Sequence, residues 1–216
     1  MFDFLIKKYL GEVEFAGEVV LKDIDGINVV FSCKKNIINL YKFIFLCNTI
    51  KSLPLSVKEI IVKYGGLIRL DEFKDMNFSE NVLAFFRPAD KAIFVKCSMS
   101  NSKIKSSLYH EIGHLYDVLL SKNKETSYRS IEDVNFHNIA IEEGKYYGED
   151  SYYMSNIVEY FAESFCRFYL AKSFEKHCPC TYTAMLNYLR DFKARKLPLF
   201  KCGDELPYFY FYCIFI

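Results

Sequence analysis

The chain has 216 residues, of which 51% are hydrophobic and 18% aromatic, with a formal net charge of +1. That much apolar surface excludes a disordered chain, and the balanced charge gives no global field for nucleic acid or an anionic membrane. The length suits one domain with a real core, or one domain plus a small appendage.

From the N-terminus, "MFDFLIKKYL" lacks the basic start and long apolar stretch of a signal peptide, and no run of 18 uncharged apolar residues occurs. The expectation is a protein acting inside a cell, made there or delivered into it as an effector, with no transmembrane segment. "EVEFAGEVVL" and "INVVFSC" read as two strands joined by a turn at "DIDG". "KKNIINLYKFIFLCNTI" is apolar nearly all round and reads as a buried helix, with strand as the alternative its β-branched content leaves open. In "LPLSVKEIIVKYGG", Ser56 and Glu59 have capping-box spacing and Gly65–Gly66 stop the helix. "LIRL" and "KAIFVKC" read as strands.

A longer helix then starts near Ser102, with Ile104, Leu108, Ile112, Leu115 and Leu119 as its core stripe. "SIEDVNFHNIAIEEG" predicts another helix, "SNIVEYFAESFCRFYLAK" a third capped by Ser155, and "TYTAMLNYLRDFKA" a fourth. Strands precede the long helix and helices follow it, which predicts a segregated α+β domain. The divisions expected are an N-terminal extension over 1–55, a main domain over 56–200 and an apolar tail over 201–216. The tail's "YFYFYCIFI" reads as a terminal strand or core plug, and the basic cluster "FKARKLPLFK" as a solvated surface. The eight cysteines form no dense framework and read as mostly reduced.

Chemistry concentrates in "SSLYHEIGHLYDVLL", residues 106–120, which holds two of the chain's four histidines. On a helix, His110 and His114 project from one face, close enough for both imidazoles to reach one ion. Zinc at a catalytic site takes three protein ligands and keeps one position open. Glu111 stands one residue round from the first ligand, where it can act as a base without ligating. A third ligand must come from elsewhere. "VEYFAESF" places Glu159 and Glu163 at i and i+4, interrupting an apolar helix where a merely solvated face would be the plainer reading. Glu159 is the expected ligand, and Glu163 is suited to accept the free ring N–H of a zinc histidine. "HCPC" offers His177, Cys178 and Cys180 as a rival metal cluster, although two cysteines flanking a proline also suit a helix entry. His137 reads as a surface or packing histidine.

"HEIGHLYD" followed by "SYYMSNIVEYFAESF" resembles the anthrax lethal factor catalytic domain and its relatives, the clostridial Pro-Pro endopeptidases. The resemblance covers roughly residues 56–195. It implies a zincin-like single domain with a small mixed or antiparallel sheet and an edge strand over the helix that carries the histidines. It implies one catalytic Zn2+ held by His110, His114 and Glu159, with Glu111 as general base and Glu163 supporting a ligand. The family's catalytic tyrosine selects Tyr152 in "EDSYYMSN", with adjacent Tyr153 as the alternative. Asp117 also fits the family pattern, with a structural role expected in tying its helix to a neighbour. "RPADKAIFVKC" stands at the family's edge strand, so a protein or peptide substrate is expected as an extended strand along Ala92–Lys96. The function implied is a zinc metalloendopeptidase with no nucleic-acid partner. The rivals are a self-processing zinc hydrolase and a catalytically silent zincin-fold module that captures a partner protein.

Overall fold

A computed structural model describes residues 2–16, 19–73, 82–122, 128–147 and 156–194. They form two compact units, one running to Leu108 and the other from Tyr109 onward.

Among the described residues, the first unit holds a six-stranded mixed sheet, three whole α-helices and the start of a fourth. It begins with α1 (Phe2–Leu10) and β1 (Glu14–Ala16), which pairs antiparallel with β2 (Val19–Ile24). β2 turns into β3 (Ile27–Ser32) through Asp25 and Gly26, both at positive φ (55° and 83°). Two successive left-handed residues match the twist of the flanking strands, which is why Asp-Gly closes hairpins so often. The predicted first segment is thus two strands, β1 and β2.

From β3 the chain crosses through α2 (Ile37–Lys51) and α3 (Leu55–Tyr64) to β4 (Leu67–Asp71), which lies parallel to β3. α2 is a helix, but its apolar circumference is not wholly covered: Leu40, Phe43, Leu46 and Ile50 are buried, while Ile38 and Tyr41 are exposed. The capping box expected at Ser56 is not formed. Pro54 is the N-cap of α3, its carbonyl accepting from the amides of Val57 and Lys58, so Ser56 already lies inside the first turn. The stop at Gly65 does hold, at φ 113°.

The sheet is completed by β5 (Ala84–Arg87) and β6 (Ala92–Lys96), in the order β1-β2-β3-β4-β6-β5. β6 is therefore an interior strand, parallel to β4 on one side and antiparallel to β5 on the other. This corrects the expectation that Ala92–Lys96 is an edge strand receiving a peptide, because both of its backbone edges are already engaged. Four of its five residues are buried, as suits a strand covered on both faces. Among the described residues, the terminal strand on that side is β5.

α4 (Asn101–Leu120) carries the histidines, and its predicted stripe from Ile104 to Leu119 is buried throughout. Its last three turns belong to the second unit, which is helical. There follow α5 (Arg129–Glu132), α6 (Val134–Glu143), a 3-10 turn over Gly144–Tyr147, α7 (Ile157–Leu170), α8 (Phe174–His177) and α9 (Pro179–Ala194). The single helix expected over 130–144 is broken at Asp133, whose carboxylate caps α6 at the Phe136 amide. Ser155 lies outside the described residues; the cap of α7 is Asn156, accepting from the Val158 amide.

Aromatic rings fill this unit. Tyr116 packs against Phe165 and Phe192, and Phe136 against Phe161 and Tyr188, with centroids 5.4–5.8 Å apart. Asp117 makes the tie expected of it, accepting from the amide and hydroxyl of Ser130 at 2.7 and 2.5 Å. His137 bonds the Ser130 carbonyl at 2.9 Å, a packing role. "HCPC" is a helix entry: Pro179 opens α9, and the Glu143 carboxylate accepts from the amides of Cys180 and Thr181. Cys178 is buried and Cys180 exposed, and they do not join a metal-binding group among the described residues. No helix among the described residues is long and apolar enough to cross a membrane.

Candidate metal centre

The centre is assembled from two helices of the second unit. On α4, His110 and His114 stand one turn apart with ring centroids 4.9 Å from each other, both nearly inaccessible to solvent. Glu111 is fully buried, and it shares with the two histidines a group whose candidate donor atoms lie within 4.8 Å of one another.

α7 brings the acids. Glu159, also fully buried, places Oε2 at 3.1 Å from His110 Nε2 and Oε1 at 3.5 Å from His114 Nε2. One turn further, Glu163 Oε2 lies 3.5 Å from His110 Nδ1, and its Oε1 accepts from Arg167 Nε at 2.6 Å.

What lets the helices approach so closely is Gly113. A Cβ at this position would lie 2.8 Å from Ala162 Cα and 3.0 Å from its carbonyl oxygen. Backbone thus packs on backbone between the two histidines of one helix and the two glutamates of the other. A side chain at Gly113 would force the two helices apart and so move the imidazoles off the carboxylate.

The electrostatics follow from burial. Burial alone disfavours imidazolium at His110, but the carboxylates of Glu159 and Glu163 outweigh it and push the ring up to about 10. Burial likewise disfavours ionised Glu159, yet the charge of His114 and the hydrogen bond with His110 hold it well below the usual carboxylate range. Glu163 is also held low: burial is outweighed by its bonds to His110 and Arg167. With Glu111, Glu159 and Glu163 written as carboxylates and Arg167 as guanidinium the formal charge is −2, or −1 with His110 as imidazolium.

Do these residues fit a metal? Donors about 2.0–2.2 Å from a tetrahedral zinc stand roughly 3.3–3.6 Å from one another. The separations of 3.1 and 3.5 Å from Glu159 to the two imidazoles are close to that spacing. Both ring nitrogens of His114 and Oε1 of Glu159 are buried without a hydrogen-bond partner among the described residues. Buried polar atoms without partners are costly, and a cation held by His114 Nε2 and Glu159 Oε1 would remove that cost for these two atoms. The donor set, its spacing and its charge surplus all fit a divalent ion.

Of the residues singled out in the sequence, His110, Glu111, His114, Glu159 and Glu163 are brought together here. Tyr152 and Tyr153 lie outside the described residues. Sequence reasoning missed two contributors. Gly113 was passed over as a spacer in the motif, and Arg167 was not considered, although Glu159, Glu163 and Arg167 recur at steps of four.

No family model matches the sequence, and no curated protein matches it. Among solved structures, the chain is similar to the PRO-PRO endopeptidase PPEP-2 from Paenibacillus alvei. The TM-score is 0.52 at 17% identity, over 73% of this chain and 96% of that one. At that identity the likeness is one of fold: the chain has a Pro-Pro-endopeptidase-like α+β fold. It supports the Pro-Pro endopeptidase side of the sequence resemblance and does not extend to lethal factor.

Proposed function

We propose that this chain is a zinc-dependent endopeptidase, with His110, His114 and Glu159 as metal ligands and Glu111 as general base. The observation that carries the reading is the convergence of the Glu159 carboxylate on both imidazoles beside a fully buried Glu111. The fold likeness to a protein titled an endopeptidase adds to it.

A zinc ion held there supplies Lewis acidity, acidifying water toward a pKa of ~7 and polarising the scissile carbonyl. The rest is the work of side chains. Glu111 takes a proton from water as its oxygen attacks, and returns that proton to the leaving amine. Glu163 accepts the Nδ1–H of His110, which leaves Nε2 with a lone pair for the metal. Tyr152 donates from its phenol to the developing oxyanion, a contribution worth ~3–4 kcal/mol in comparable sites. Tyr153 is the alternative donor. The substrate is a protein or peptide.

The test is digestion of a peptide library by the wild type, with and without a chelator, beside Glu111→Ala. Chelator-sensitive cleavage that Glu111→Ala lacks is the expected result. Partner capture without any cleavage would instead assign the chain as a silent binding module.

A further inference from the structure

Glu159, Glu163 and Arg167 follow one another at steps of four on α7, so they form a single row along that helix. The middle member divides its carboxylate. One oxygen faces His110 Nδ1 at 3.5 Å, and the other takes the Arg167 Nε–H at 2.6 Å.

Arg167 is itself held. Its guanidinium lies over the ring of Tyr147, 4.2 Å from the centroid. That ring is buried and packs against Tyr160 at 4.8 Å. The Ser164 hydroxyl donates to the Tyr160 carbonyl at 2.6 Å, so the 2.8 Å bond between Ser164 and Tyr147 uses the tyrosine's own O–H. The stacking platform is therefore pinned to the helix that carries the acids. An ordinary exposed i,i+4 pair contributes little. Here the Glu163 side chain is only 15% exposed, and the guanidinium is fixed on two sides.

We propose that Arg167 is a positioning residue for the metal centre: by clamping one oxygen of Glu163 it aims the other at His110 Nδ1, and so fixes the ring's orientation and tautomer. The proposal rests on the metal-centre reading above. Without the clamp, Glu163 samples other rotamers, and the His110 ring is free to flip or to carry its proton on Nε2. Either change removes the lone pair that a metal needs. Partners of this kind behind a ligand histidine typically alter metal affinity by 10- to 100-fold.

The test is zinc affinity by competition with a chromogenic chelator, for wild type, Arg167→Met, Glu163→Gln and the double variant. Urea unfolding of the metal-free proteins runs alongside. Arg167→Met is expected to weaken zinc by about 10- to 100-fold. The double variant is expected to match Glu163→Gln, because Arg167 acts through that carboxylate. If Arg167→Met fails to fold, Arg167→Gln keeps the stem and a polar head and should show the same loss. Wild-type affinity in a folded Arg167 variant would overturn the proposal. So would a double variant weaker than Glu163→Gln by the full Arg167 factor. A wild-type protein that takes up no zinc removes the metal reading itself, and is seen before any variant is compared.

Discussion

Gly113 and Ala162 meet backbone to backbone: a methyl group at Gly113 would stand 2.8 Å from Ala162 Cα. This contact sets the spacing between the helix of the imidazoles and the helix of the carboxylates. In a helix interior, Gly→Ala ordinarily stabilises by about 1 kcal/mol. Here the added carbon meets main chain, which cannot swing aside, and overpacking costs typically ~1–3 kcal/mol. Gly113→Ala should therefore lower Tm by several degrees, at about 2–4 °C per kcal/mol for a chain of this size. It should also weaken zinc binding, because the helices separate. Thermal melts and chelator competition check both; a raised Tm with unchanged affinity would contradict the packing account.

In the proposed mechanism Glu111 moves a proton and does not hold the ion. Glu111→Gln keeps the shape of the side chain and removes the base. Zinc content should stay at the wild-type level while peptide turnover falls by ~10²–10⁴. Measuring metal and turnover on the same preparation decides it. Loss of metal would make Glu111 a ligand, and retained turnover would move the base elsewhere.

The tyrosine assignment is tested in the same way. Tyr152→Phe should cut kcat by ~10²–10³ with metal content unchanged, the usual size for one lost oxyanion donor. Near-wild-type turnover in Tyr152→Phe, with the loss appearing in Tyr153→Phe, would transfer the role to its neighbour.

Asp117 gives the fold a pH dependence of its own. Burial pushes its carboxyl up to about 7, against the opposing pull of the Ser130 hydrogen bonds. The folded state thus binds this proton more tightly than the unfolded chain, where an aspartate titrates near 3.9. Its contribution to stability is full in acid and is lost as pH rises from about 4 to about 7. Asn cannot ionise, and its carbonyl can still accept the Ser130 amide. Relative to wild type, Asp117→Asn should gain stability between pH 5 and pH 8, by a few kcal/mol at most given ~1.4 kcal/mol per pKa unit. Urea unfolding at the two pH values reads the difference. A gap between the two proteins that does not change with pH would mean that Asp117 stays ionised throughout.

Much of this was legible in the sequence, for physical reasons. The stripe of α4 follows from helical periodicity, and the histidine pair from the same 3.6-residue geometry. Glu159 and Glu163 stood out because acids rarely interrupt so apolar a helix. Other features carry no local signal. Nothing in "HEIGH" says that its glycine must admit another backbone, since the partner is 49 residues away. The interior place of β6 was in fact written in its unbroken "AIFV", which suits a strand covered on both faces; the edge assignment came from resemblance instead. Asp133 and Pro54 decide helix boundaries through which carbonyl or carboxylate reaches which amide, a matter of a single turn that propensity does not resolve.

The most direct test of the account is zinc content by mass spectrometry after dialysis, for wild type and Glu159→Ala. The account predicts about one zinc per wild-type chain, as for a three-ligand catalytic site, and almost none in the variant. Equal zinc in the two proteins would contradict it, because the carboxylate from α7 would then have no part in holding the ion.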